Sequence, residues 1–118
     1  MDITSFQLEW VTVPHWQTAR IYGFNRPGLV RFLWSSDVMF LGYAGSYKPG
    51  LHGRICAYRR GGTPGQDAGQ KIYEHRDLLE LQVTFLDLSG REIRDLCQAL
   101  IERDRPAWNA LHGYRGRC

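Results

Sequence analysis

Residues 28–42, Gly28-Leu29-Val30-Arg31-Phe32-Leu33-Trp34-Ser35-Ser36-Asp37-Val38-Met39-Phe40-Leu41-Gly42, decide how this chain is read. Leu29 to Trp34 and Val38 to Gly42 are rich in branched and aromatic side chains, which suit a pleated, packed surface, and Ser35-Ser36-Asp37 between them is turn chemistry. The stretch predicts a β-hairpin with both strands buried.

Working towards the N-terminus, Phe6 to Val13 alternates loosely between apolar and polar residues and predicts a strand ending at Pro14. Towards the C-terminus, Ser46-Tyr47-Lys48-Pro49-Gly50 is loop chemistry. Leu51 to Arg59 then forms a short helix with Leu51, Ile55 and Tyr58 on one side. Gly53 weakens that helix by about 1 kcal/mol relative to Ala. Arg59 to Gln70, basic and then glycine-rich, is expected to be a flexible loop. Leu79, Leu81, Val83 and Phe85 alternate with Glu80, Gln82 and Thr84, the pattern of a strand with one wet face.

Ser89 and Glu92 form a capping box, and Ile93, Leu96, Cys97, Leu100 and Ile101 recur at helical spacing, so a helix is expected to run to about Arg105, before Pro106. Trp108, Leu111 and Tyr114 suggest a last short helix, followed by a fraying tail, Arg115-Gly116-Arg117-Cys118. These elements give an α+β class: a small central antiparallel sheet flanked by helices.

The 118 residues suffice for one domain and one core. No apolar run approaches the roughly 20 residues that span a bilayer, and Met1-Asp2-Ile3-Thr4-Ser5 lacks the basic-then-apolar pattern of a secretory signal. A cytoplasmic protein with no membrane partner is expected. Cys56, Cys97 and Cys118 are odd in number and widely spaced, which suits reduced thiols and no structural metal. The net charge of +3 is uneven: residues 1–72 hold eight Lys/Arg against four Asp/Glu, while residues 73–118 hold seven against eight. The first part is the anion-facing side.

Pro27-Gly28-Leu29-Val30, then Phe40-Leu41-Gly42 ten residues later, then Leu51-His52-Gly53-Arg54 with Tyr58 one turn on, then Cys97-Gln98-Ala99-Leu100-Ile101 and Pro106-Ala107-Trp108-Asn109, stand in an order and spacing that resemble the GIY-YIG nuclease family. The resemblance covers about residues 27–110 and leaves 1–26 as an N-terminal extension of a single domain. It implies a GIY-YIG-like fold. It also implies a site in which two tyrosines, an arginine and a metal-holding glutamate cut a phosphodiester, with Mg²⁺ or Mn²⁺ as cofactor where that activity survives.

At the matching positions this chain keeps Arg54, Tyr58 and Asn109 but has Val30 and Phe40 for the tyrosines and Cys97 for the glutamate. Val30 has no polar atom and Phe40 has a ring without a hydroxyl, so acid–base help, worth roughly 10²- to 10⁴-fold, is missing there. Cys97 completes an apolar helix stripe, and a lone thiol is a poor ligand for a hard cation. Asp95, Glu102 and Asp104 lie off that stripe and are expected to face solvent. The resemblance therefore implies a degenerate nuclease with no cofactor.

Arg54, Tyr58 and Asn109 remain as a set able to grip a phosphate or another anion. His52, two residues before Arg54, adds an imidazole that can act on a phosphate. Tyr43, Tyr47, Lys48, Arg59, Arg60 and Lys71 mix cations with aromatic rings, as single-stranded nucleic-acid surfaces do and protein-binding surfaces also do. Three functions are consistent with this: binding DNA, RNA or a protein that handles them, without metal-dependent cutting; a protein-interaction or inhibitor module using the old cleft; and a divergent active endonuclease using His52, Arg54, Tyr58 and a loop carboxylate.

Overall fold

The structure, a computed structural model, describes residues 7–61 and 67–109. The hairpin is β2 (Gly28–Trp34) and β3 (Asp37–Ala44), joined by Ser35 and Ser36, both at positive φ. Left-handed backbone at both central residues suits a two-residue hairpin turn, because it matches the twist of the flanking strands. The ladder runs from Gly28 opposite Ala44 to Trp34 opposite Asp37, with a register shift between Phe32 and Leu33.

β4 (Glu80–Phe85) pairs antiparallel with the other side of β2, and β1 (Val11–Thr12) pairs antiparallel with β4, giving the order β1-β4-β2-β3. The helices are α1 (Gly50–Arg59), α2 (Asp67–Glu74) and α3 (Gly90–Asp104). The result is the expected α+β plan of an antiparallel sheet with helices.

Strand alternation divides the core in two, since successive side chains point to opposite faces. On one face Val30, Phe32 and Phe40 pack with Leu51, Ile55 and Tyr58 of α1, Ile72 of α2 and Leu81 and Val83 of β4. On the other, Leu29 and Leu41 pack with Ile93, Leu96, Cys97, Leu100 and Ile101 of α3. α3 starts with the expected reciprocal capping box of Ser89 and Glu92 and ends at Arg105, whose left-handed φ of 45° closes the helix.

Three expectations change, and the N-terminal extension gains a role. The first strand shrinks to Val11–Thr12 among the described residues, because only these two pair, with Val83 and Gln82. The stretch 67–70 is not loop but the start of α2, which seals the sheet face with the buried Ala68 and Ile72. The N-terminal extension is part of the core: Val13, Trp16 and Ile21 are all buried, and the Trp16 indole N–H donates to Leu79 O at 3.2 Å. Finally, Cys56 is a free thiol as expected, but Cys97 is disulfide-bonded. The last short helix expected around Trp108, Leu111 and Tyr114 lies mostly outside the described residues, as does the 62–66 segment.

Among the described residues no helix is long and apolar enough to cross a membrane.

Candidate functional site

The hairpin's return strand, the loop after it and the first two turns of α1 enclose an open cleft of ≈ 360 Å³, lined by Tyr43, Ala44, Gly45, Ser46, Pro49, Gly50, Gly53 and Arg54. None of these is acidic.

Arg54 is fixed from two sides. Its Nε donates to Tyr43 O at 2.7 Å, and its guanidinium carbon stands 5.8 Å from the centre of the Tyr43 ring. The fork also reaches the Tyr58 hydroxyl behind it, and among the described residues no carboxylate forms an ion pair with it. A half-buried cation without a counter-charge favours an anionic partner, and a guanidinium with its Nε already committed presents its remaining N–H groups to one.

The loop adds further donors. The backbone N–H groups of Ser46, Tyr47 and Lys48 have no hydrogen-bond acceptor among the described residues. The loop is held by two contacts, one to the turn before α3 and one to the first residue of α3. Tyr47 donates its hydroxyl to Asp87 Oδ1 at 2.8 Å, and Gly45 lies so close to Gly90 that a Cβ on Gly90 would stand 2.8 Å from Gly45 O. Gly53 is needed as well: a Cβ there would meet the Pro49 ring at 2.4 Å. The glycine that weakens α1 intrinsically is what lets the loop's proline fold over the helix.

Tyr58 is not in the cleft wall. Its hydroxyl is buried behind Arg54, under Gly42. Phe32 and Phe40 meet its ring edge-on at centroid distances of 5.1 Å and 5.8 Å. Burial raises its pKa above the ordinary 10.0, with the Arg54 cation opposing. The phenol is neutral at physiological pH.

The remaining sequence candidates separate. Val30 and Phe40 are buried on the α1 face with Tyr58, whereas Cys97 is buried on the α3 face, so the sheet divides the positions that the resemblance would gather. Asn109 bonds Leu41 through both ends of its amide and is fully buried, which keeps it from a ligand in the cleft. Arg59 is also committed internally, donating from Nε to Trp16 O at 2.8 Å and from its terminal amino group to Ala19 O at 2.6 Å. It fastens the N-terminal segment to α1.

His52 Nδ1 stands 3.8 Å from Cys56 Sγ, one turn further along α1, and not against Arg54. Lys48, Arg60 and Lys71 are exposed. Asp95 is half-exposed, and Glu102 and Asp104 are exposed, so none turns inward from α3 to replace Cys97.

A divalent metal does not fit this arrangement. No carboxylate lines the cleft, and no three His, Cys, Asp or Glu side chains cluster as ligands among the described residues. Sequence reasoning missed the Tyr47–Asp87 bond and the role of the Gly45–Lys48 backbone, neither of which has a side-chain motif. No family model, curated protein or solved structure matches the chain.

Proposed function

We propose that this chain is a GIY-YIG-like domain that binds nucleic acid through the Arg54 cleft and does not cut it by metal-dependent chemistry. One observation carries the reading: a half-buried Arg54 cation that has no carboxylate partner among the described residues and lines a cleft without acidic residues. Backbone phosphates are the abundant polyanion that such a cation grips, and they bind without a side-chain acid or base in attendance.

The absence of cutting rests on what the chemistry needs. Phosphodiester cleavage requires an activated oxygen, a cation on the phosphoryl oxygens and a route for the leaving group's proton. Val30 and Phe40 are apolar and buried, and Tyr58 is a buried, neutral phenol outside the cleft wall. A test is incubation of the protein with labelled DNA and RNA in Mg²⁺ and in Mn²⁺, run on native and denaturing gels. A shifted but intact strand is expected; shortened products would overturn the proposal.

A further inference from the structure

The end of the sheet at which β2 begins is also where β3 and β4 stop. Gly28, the first residue of β2, is opposite both Ala44, the last of β3, and Phe85, the last of β4. Ala44 lines the cleft, and another arginine stands over Phe85: the guanidinium carbon of the exposed Arg26 lies 4.5 Å from the centre of that ring. Stacking occupies one flat face of a guanidinium and leaves the N–H groups around its edge for an anion.

The backbone of Arg26 is fixed to the same cleft. Its carbonyl accepts from Leu51 N–H at 2.9 Å in the first turn of α1, and a Cβ on the cleft residue Gly50 would stand 2.5 Å from Arg26 N. The charge of Arg26 is felt by the Tyr47 phenol of the cleft loop, whose pKa Asp87 raises and Arg26 draws down. Asp87 itself holds the Tyr47 hydroxyl, and among the described residues no carboxylate forms an ion pair with Arg26.

We infer that Arg26 is a second phosphate contact, so that a nucleic-acid strand lies across this end of the sheet from Arg54 to Arg26. The inference rests on the reading of the Arg54 cleft as a nucleic-acid site and extends it to a residue outside the cleft wall. Ala44 and Phe85 flank β2, so they are two strand spacings, about 10 Å, apart. One DNA strand places a phosphate about every 3.4 Å along the duplex axis, so that distance corresponds to about three phosphates.

The test is fluorescence anisotropy with a labelled DNA strand, alone and as a duplex, over a sodium chloride series, with a thermal melt of each variant. Arg26→Gln keeps a stem on Phe85 and removes the charge. It is expected to weaken binding several-fold at low salt and to reduce the logarithmic salt slope by about 0.7 on the strand and about 0.9 on the duplex. Combining it with Arg54→Ala should reduce the slope by about twice as much, and Arg26→Lys should keep the wild-type slope.

Arg26→Gln curves that superimpose on the wild type, or weaker binding with an unchanged slope, overturn the role of Arg26. The nucleic-acid reading then survives if Arg54→Ala still reduces the slope. No binding by the wild-type protein, or curves indifferent to both substitutions, overturns both.

Discussion

Asn109 gives Leu41 the hydrogen bonds that a neighbouring strand would supply. Leu41 N–H donates to Asn109 Oδ1 at 2.9 Å, and Asn109 Nδ2 donates back to Leu41 O at 2.9 Å. β3 is an edge strand, and Trp108 N–H donating to Met39 O at 2.9 Å continues the same cover. The asparagine that the resemblance placed in a phosphate site instead seals a sheet edge, where unpaired backbone groups are a liability.

Asn109→Ala is therefore expected to destabilise the fold by about 2–4 kcal/mol, since it removes two buried bonds and orphans two backbone groups. Urea denaturation measures this. A change below about 0.5 kcal/mol would show that the edge is not held in this way.

Gly42 and Tyr58 should be energetically coupled. A Cβ at position 42 would stand 2.8 Å from the Tyr58 hydroxyl and 3.1 Å from the Phe40 ring. Gly42→Ala is expected to cost about 1–3 kcal/mol by overpacking. Adding Tyr58→Phe removes the nearest clashing atom and should restore part of that loss. A double-mutant cycle with additive effects would contradict the contact.

Tyr58 also sets an alkaline limit. Its pKa is raised in the folded state by burial, so the native protein holds this proton more tightly than the unfolded chain does. Its contribution to stability is complete below pH 10 and falls as pH rises above it, at up to about 1.4 kcal/mol per pH unit, until the folded group itself ionises. Chemical denaturation between pH 8 and pH 11 should show a shallower decline for Tyr58→Phe than for the wild type. Identical slopes would mean that the phenol is not buried as described.

Arg59→Ala separates structural from ligand-facing cations. Loss of the bonds to Trp16 O and Ala19 O should destabilise the fold by about 1–3 kcal/mol while leaving nucleic-acid affinity within about twofold. Paired denaturation and binding curves decide this. A large affinity loss in a stable variant would return Arg59 to the binding surface.

How far the sequence could be read follows from the range of each signal. The hairpin, β4 and α3 are legible because their information is local: alternation along Glu80 to Phe85, and the Ser89–Glu92 capping box before a helical stripe. α2 is hidden, since Gly69 inside it and the glycines before it read as loop while the buried Ala68 and Ile72 are explained only by the sheet they cover. The site shows the same division. Arg54 beside Tyr43 could be found from an arginine on a helix after a tyrosine-bearing strand. Arg59 reaching carbonyls 40 and 43 residues away, and Asn109 reaching one 68 residues away, leave no local trace. Their types suggested ligand contacts, and their partners turned out to be backbone.

The most direct test of the central claim is the salt dependence of nucleic-acid affinity for wild type and Arg54→Ala, with a thermal melt to confirm that both are folded. If Arg54 contacts a phosphate, the wild type should lose affinity steeply with salt, and Arg54→Ala should bind more weakly at low salt with the logarithmic slope reduced by about one. Superimposable curves, or no binding by the wild type at low salt, would contradict the account.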